Sequence, residues 1–366
     1  MHPPWLHAIV RDRISPRRAA SQDPHTGGNV PTEMIRPATG APCHQSLACH
    51  FLQMQEQVLQ INRRTMSVTT SVFLGDRSLL RVSGEDARTF LQGLVSNDVL
   101  RVASDRAIWA AFLTPQGRYL HDFFVCQVDG ALILEGEAAR LPELKRRLSI
   151  YKLRSRVSIE GPDSSLAVWA LLGDGAARAI GLPIAEPGSA MPVMGGGVVF
   201  VDPRTEAAGL RAVLPKDNGA DALSARGFVT GSLADYDRQR ITLGLPDGSR
   251  DMLVEKSLLL ECGFDELNGI DWQKGCYLGQ ELTARTRYRG LVKKRLLPVT
   301  IEGDLPPPGT PILLNGKEIG EIRSGVDGLA LASFRVDGLA AISDAGGSVS
   351  VCNARVTPRR PSWASF

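Results

Sequence analysis

From Met66 onward apolar and polar positions fall into recognisable registers, whereas the first 65 residues show no clear periodicity. Val72 to Leu74 and Leu79 to Val82 read as strands. Ala87, Phe90, Leu91, Leu94 and Val95 then share one helical face, with Ser83 and Asp86 at capping-box spacing before them and Ser96-Asn97-Asp98 as the expected stop. Ile108 to Leu113 reads as a strand and Pro115-Gln116-Gly117 as a turn. The strand through Phe123, Phe124 and Val125 should reverse at Asp129-Gly130 into Ala131 to Leu134. Residues 138 to 149 are amphipathic, with Leu141, Leu144 and Leu148 inward and Lys145, Arg146 and Arg147 on what a solvated face explains. Further strand patterns at 166–172, 197–201 and 209–214 and a helix near 219–226 make the class α+β, without the βαβ rhythm of a doubly wound sheet.

The texture changes after Arg289-Gly290. Leu296 to Ile301, Ile312 to Leu314, Ile319 to Ile322, Leu329 to Phe334 and Val349 to Val356 are short strand patterns separated by Pro and Gly, with Asn315-Gly316 as a tight turn. Five such strands must close or pack on something, so residues 291–366 are expected to form a small antiparallel barrel or sandwich.

Charge sharpens the boundary at the other end. The net charge of +3 arises in residues 1–65, which hold seven Arg, no Lys and four acids, so the remainder is neutral. A neutral body argues against a nucleic-acid footprint, which needs clustered cations to neutralise phosphates. No apolar run is long enough for a membrane helix. Residues 1–65 also carry five of the six histidines and read as a disordered or non-native extension. The Cys43-His44 and Cys49-His50 pairs are better explained that way than as a metal clip. The Arg-rich composition also resembles a transit peptide, and translation from Met66 is a further reading. Six cysteines without close pairing point to a reducing compartment and support no metal site by spacing.

No Gly-x-Ser-x-Gly elbow or phosphate loop is present, and Gly195-Gly196-Gly197 lacks a dinucleotide context. His121, alone outside the tail, is more simply a polar strand residue than half of a Cys–His dyad. The segment from Lys274 to Arg289 stands apart. Cys276 follows a glycine and is flanked in sequence by Lys274, Arg285, Arg287 and Arg289, and cations near a thiol favour the thiolate that attacks electrophiles and binds metals. Gln280 and Glu281 add an amide and a carboxylate. A buried structural cysteine is the competing reading.

The run Lys274-Gly275-Cys276-Tyr277-Leu278-Gly279-Gln280-Glu281 resembles the signature of the YgfZ family, Lys-Gly-Cys-Tyr-x-Gly-Gln-Glu. Phe90-Leu91-Gln92-Gly93, Asn97-Asp98, Pro115-Gln116-Gly117-Arg118, Gly244-Leu245-Pro246, Ala284-Arg285 and Tyr288-Arg289-Gly290 extend the similarity over roughly residues 70 to 330. That family is similar to the aminomethyltransferase of the glycine cleavage system. The resemblance implies a three-domain aminomethyltransferase-like ring, with two interleaved α+β folate-binding domains over residues 66–290 and the barrel at 291–366. It further implies tetrahydrofolate or a one-carbon derivative as cofactor, and partners among iron–sulfur target enzymes or cluster carriers. The implied function is assembly or repair of their clusters with Cys276 as reactive thiol, helped by Lys274, Gln280, Glu281 and Arg285. Arg77 and Tyr236 match the family's inferred folate contacts, the pterin is expected near Tyr236 and the Asn97-Asp98 turn, Arg118 and Arg240 are further cofactor-binding candidates, and Arg side chains are expected to meet the glutamate tail. The aminomethyltransferase itself is disfavoured, since His121-Asp122 and Arg240-Ile241-Thr242-Leu243-Gly244 stand where it carries an acidic pair and an Arg-x-Glu-x-Gly pattern. A non-catalytic folate-sensing adaptor remains the alternative from another class. The expected location is the bacterial cytoplasm, with the mitochondrial matrix as alternative.

Overall fold

Regular structure begins where the periodicity does. The computed structural model describes residues 68–366 except 345 and 347, so the readings made for residues 1–65 lie outside it. Thr70–Phe73 pairs with Leu166–Leu172 and Val229–Thr230. That sheet continues through Leu210–Pro215 and Val198–Val201 to Ala190–Pro192. Between Phe73 and Leu166 the chain leaves to build a second sheet in the order Ile108–Leu113, Tyr119–Val128, Ala131–Glu137, Arg77–Ser83, Ser158–Glu160, and then returns to the first.

Both sheets are buried on two faces, which the two-residue period shows directly. Trp109, Ala111 and Leu113 enter one apolar cluster while Ile108, Ala110 and Phe112 enter another. Val168, Phe200 and Val213 of the first sheet meet Trp109, Phe124 and Cys126 of the second in the shared cluster. The outer faces are covered by Ala87–Gln92 and Leu141–Lys152 on one side and by Ala176–Ile180 and Gly219–Ser224 on the other. Trp109 stacks on Phe264 with centroids 3.8 Å apart, and each such buried ring contributes roughly 1.5–3 kcal/mol.

Two local expectations change. Ser83 ends a strand rather than capping a helix: Gly84 turns the chain at φ 110°, and the Asp86 carboxylate accepts from the Arg156 amide at 2.7 Å. The helix stops at Gln92, not at Ser96-Asn97-Asp98. Gln92 bonds the Asp98 carboxylate and the Val99 amide instead, each at 2.8 Å, drawing residues 93 to 98 into a turn. Asp129 and Gly130, at φ 49° and 77°, form the expected tight hairpin.

The C-terminal region forms a six-stranded antiparallel sheet, ordered Pro311–Leu314, Lys317–Val326, Leu329–Arg335, Lys294–Glu302, Ala354–Pro358, Val349–Val351, whose end strands approach each other to close a barrel. The pattern at 349–356 is a hairpin rather than one strand, turning at Cys352 with φ 51°. A helix over Val336–Asp344 was not foreseen, and its Val336, Leu339 and Ile342 spacing plugs the barrel core. Arg240 and the Ser324 hydroxyl and amide converge on Asp251, and the Trp363 indole donates to the Leu243 carbonyl at 2.6 Å, fixing barrel to ring. Gly244, at φ 73°, fits where a Cβ would meet Pro298 and Pro361, which accounts for the Gly244-Leu245-Pro246 run.

Candidate functional site

The segment Asp271 to Gln280 is a loop held at nearly every position. The Asp271 carboxylate accepts from the amides of Gln273 (2.7 Å) and Lys274 (3.0 Å). The Lys274 ammonium donates to three backbone carbonyls, Gln92 at 2.8 Å, Val95 at 2.6 Å and Asn97 at 2.9 Å, one for each of its N–H groups. It also lies 5.1 Å from the centre of the Tyr277 ring. Burial pulls this ammonium down to about 8, with Asp98 and Asp271 opposing. Leu278 donates to the Gly93 carbonyl, and the Gln280 side chain accepts from the Tyr277 amide at 3.0 Å before opening the helix Gln280–Tyr288. A Cβ on Gly279 would sit 2.5 Å from the Thr114 carbonyl oxygen, and one on Gly117 2.6 Å from that of Gly279. The two sequence motifs therefore dock glycine to glycine.

Gly275 and Cys276 form the exposed crest of this loop. Among the described residues, they are the two positions between Asp271 and Gln280 without a hydrogen bond or ring contact, while Tyr277 behind them is buried. The buried structural reading of Cys276 is thereby set aside. Cys126 and Cys262 fill that role instead, and burial pushes both thiols well up. Lys274, expected to polarise the thiol, has its three donors directed at residues 92 to 97. Glu281 and Arg285 are exposed on the helix that follows. Arg287 reaches back to lie 4.0 Å over Trp272, holding that helix against the loop. Trp272 was missed by sequence reasoning, although a Trp four residues before the cysteine was a visible signal.

A cleft of about 520 Å³ opens beside the same loop, lined by Asn97, Arg101, Arg106, Ile108, Asp271 and Trp272 among others. Asn97 belongs to its wall by position, but its amide donates to the Trp109 and Asn268 carbonyls and its oxygen accepts from the Asp98 amide. Asp98 caps the turn that follows, accepting from Leu100. Arg118 donates to the Lys256 carbonyl at 2.8 Å.

Arg77, Tyr236 and Arg240 lie elsewhere, between the sheets and at the barrel joint. Glu135, fully buried, takes Arg77 at 2.6 Å and both of its oxygens accept from Arg211 at 3.0 Å, while Arg211 donates onward to the Tyr236 hydroxyl at 2.6 Å. Arg77 also pairs with Asp247 at 3.2 Å. Arg204 and Asp202 form a neighbouring pair at 2.7 Å, and Arg240 pairs with Asp251 at 2.8 Å and donates to Ser324. Burial pushes the Asp247 carboxyl up, but Arg240, Arg77 and Arg250 outweigh it and hold it below the ordinary carboxylate range. Arg77 and Arg240 are thus met by the protein's own carboxylates, and the Tyr236 hydroxyl by Arg211. The Asp122 carboxylate is likewise engaged, by the Trp109 indole and the Tyr119 hydroxyl. His121 is buried 3.7 Å from Glu143, and burial, then Arg140, lowers it to about 3.

Residues 293–366 match the family model described as the CAF17 C-terminal beta-barrel domain. Over 308 residues, 79% of this chain and 84% of the relative, the sequence is 37% identical to the mouse protein named iron-sulfur cluster assembly factor IBA57, mitochondrial. The human protein of that name is 35% identical over 71% of this chain and 75% of its own length. The chain belongs to the IBA57 family. The kinship expected from the Lys274 to Glu281 signature holds at the level of the broader family, and the named IBA57 relatives lie on its mitochondrial branch. Among solved structures, the glycine cleavage system aminomethyltransferase T of Bartonella henselae superposes with a TM-score of 0.64 at 15% identity, covering 84% of this chain and 89% of that one. The aminomethyltransferase-like fold with a C-terminal antiparallel barrel is thus shared.

Proposed function

We propose that this protein assists the assembly of iron–sulfur clusters and that Cys276 is the thiol through which it acts. The observation that carries the reading is the exposed crest formed by Gly275 and Cys276 on a loop otherwise fixed by hydrogen bonds. A rigid loop presents a thiol in one place at little entropic cost when a partner arrives. Among the described residues no group of three or more His, Cys, Asp or Glu converges as a metal site. Iron or a cluster held by Cys276 accordingly takes its other ligands from the carrier or target protein, and the cluster is cargo in transit. IBA57 relatives carry this function in their names, which supports the reading. Their mitochondrial designation, together with the Arg-rich, Lys-free first 65 residues, favours the mitochondrial matrix over the cytoplasm. In cells lacking the endogenous protein, wild type should restore iron–sulfur enzyme activity and Cys276→Ser should not, at equal protein level. Full rescue by Cys276→Ser would contradict the thiol's role.

A folate reading is favoured by one observation, the cleft beside the Cys276 loop. We assign tetrahydrofolate, suggested by the aminomethyltransferase-like fold, to this cleft rather than to Arg77, Tyr236 and Arg240. The Trp272 ring offers a flat wall, and Arg106, half-buried with no carboxylate partner among the described residues, suits a carboxylate tail. Bound there, the folate would supply a one-carbon carrier next to the thiol. Calorimetry should find tetrahydrofolate binding weakened by Trp272→Ala and unchanged by Cys276→Ser. Absence of binding to the well-folded protein would end this reading and leave the cluster role standing as an adaptor's.

A further inference from the structure

Glycines in this chain divide by whether the fold needs them. Gly279 and Gly117 have φ near 80° and backbone within 2.6 Å of where a Cβ would stand, so neither tolerates a side chain. Gly275 is the reverse case: its φ is negative, it is exposed, and nothing lies within 4 Å of an added Cβ. A glycine in such a place loosens the unfolded chain and weakens the fold relative to alanine, so the fold gives no reason for it. It stands next to Cys276, on the crest of a loop whose other positions are fixed. The reason for a missing side chain there lies outside the chain, in something that approaches the backbone of residue 275 closely.

The surroundings say what kind of body that is. Arg285 and Arg289 are exposed, and no carboxylate pairs with either among the described residues. Tyr288 between them is 78% exposed. Arg287 on the same helix is tied to the loop through Trp272. From Lys274 to Arg295 the chain carries seven cations and one acid, Glu281, although residues 66–366 as a whole are neutral. Elsewhere Arg156, Arg238 and Arg335 are paired with acids of this chain, whereas Arg146, Arg154, Arg178 and Arg359 are exposed singly and without one among the described residues, so it is the clustering of cations from Lys274 to Arg295 that sets this segment apart. An arginine–tyrosine patch with unpaired charge is the composition of a protein-docking surface that selects an acidic face.

We propose that Gly275, Arg285, Tyr288 and Arg289 form the docking surface for an acidic partner protein, with Gly275 as the point of closest backbone approach that brings the partner onto Cys276. This rests on the reading of Cys276 given above and names the surface that serves it. A small molecule reaching the thiol would also use the space at Gly275, but it would not need Arg289 on the outer end of the helix. An acidic protein needs both.

The test uses the full-length protein in cells lacking the endogenous copy, with Gly275→Ala, Gly275→Val, the double variant Arg285→Glu with Arg289→Glu, and Cys276→Ser side by side. Gly275→Val should accumulate to wild-type level, melt no lower than wild type, and react at Cys276 with iodoacetamide at the wild-type rate. Its iron–sulfur enzyme activity should nevertheless fall roughly tenfold, with Gly275→Ala intermediate and the charge-reversed variant falling as far. If Gly275→Val restores full activity while Cys276→Ser does not, the docking surface is wrong and the thiol's role survives. If both restore it, the reading of Cys276 fails as well. A lower melting temperature in both Gly275 variants would make the glycine structural and overturn the proposal. Loss in Gly275→Val with full activity in the charge-reversed variant would replace the acidic protein by a small molecule.

Discussion

Two regions of this molecule are built from the same cations and use them in opposite ways. Between the sheets, Arg77, Arg204 and Arg211 are each less than a tenth exposed and each is met by a carboxylate of the chain. On the helix that follows Cys276 and at its C-terminal end, Arg285 and Arg289 are exposed and without such partners among the described residues, while Lys274 before it is drawn inward, to carbonyls rather than acids. Removing a charge from water costs several kcal/mol unless a partner meets it, so the inner arginines can only be structural while the outer ones are free to be recognised. The aminomethyltransferase-like ring thus has its middle braced by ion pairs, and the proposed site at Cys276 stands on an exposed loop outside them.

Breaking the inner region should give the largest loss of stability. Glu135→Gln leaves Arg77 and Arg211 without their shared carboxylate and should cost about 3–5 kcal/mol, read as a lower thermal midpoint, whereas Arg285→Gln on the rim should change it by under about 0.5 kcal/mol. Next comes Lys274→Met, which strands three carbonyls where the turn at 92–98 meets the loop. A loss of about 2 kcal/mol is expected, with faster hydrogen exchange at Leu278 and little rescue by Lys274→Arg, whose planar fork does not match three converging acceptors.

Acid separates the regions a third way. Burial raises Asp247, but Arg240 and Arg77 hold its folded value below the unfolded one near ~3.9. A depressed carboxylate contributes stability that is full above the unfolded value and lost as pH falls through the folded value. The inner region should therefore weaken below about pH 4, and a thermal midpoint flat from pH 5 down to 3 would contradict it. The two glycines of the loop discriminate further: Gly275→Ala should stabilise by about 0.4–1 kcal/mol, while Gly279→Ala, at φ 80° against the Thr114 carbonyl, should destabilise by more than that.

Legibility in the sequence followed how local each cause was. Hairpin turns at Asp129-Gly130 and Asn315-Gly316 were readable because positive φ is a property of the residues themselves. The Cys276 motif was readable as a string. Its geometry was not, because the partners of Lys274 lie about 180 residues away. The helix that should have run to Asn97 ends at Gln92 because side chains of Gln92 and Asp98 and the Lys274 ammonium reorganise the turn, a tertiary effect overriding periodicity. Arg77 and Tyr236 were singled out as folate contacts by resemblance, and no pattern in a sequence shows that Arg77 faces carboxylates 58 and 170 residues distant. Burial and pairing decide that, and both are products of the fold.

The most direct measurement is the accessibility of Cys276 while clusters are being made, with Cys352 as an internal reference because both thiols are exposed. Isolated mitochondria containing the protein would be pulsed with N-ethylmaleimide with and without iron supply, and labelling at the two cysteines read by mass spectrometry. The account predicts that Cys276 becomes protected when iron is supplied while Cys352 labels equally in both conditions. Equal labelling of Cys276 with and without iron, in step with Cys352, would contradict a role for this thiol in holding or handing on a cluster.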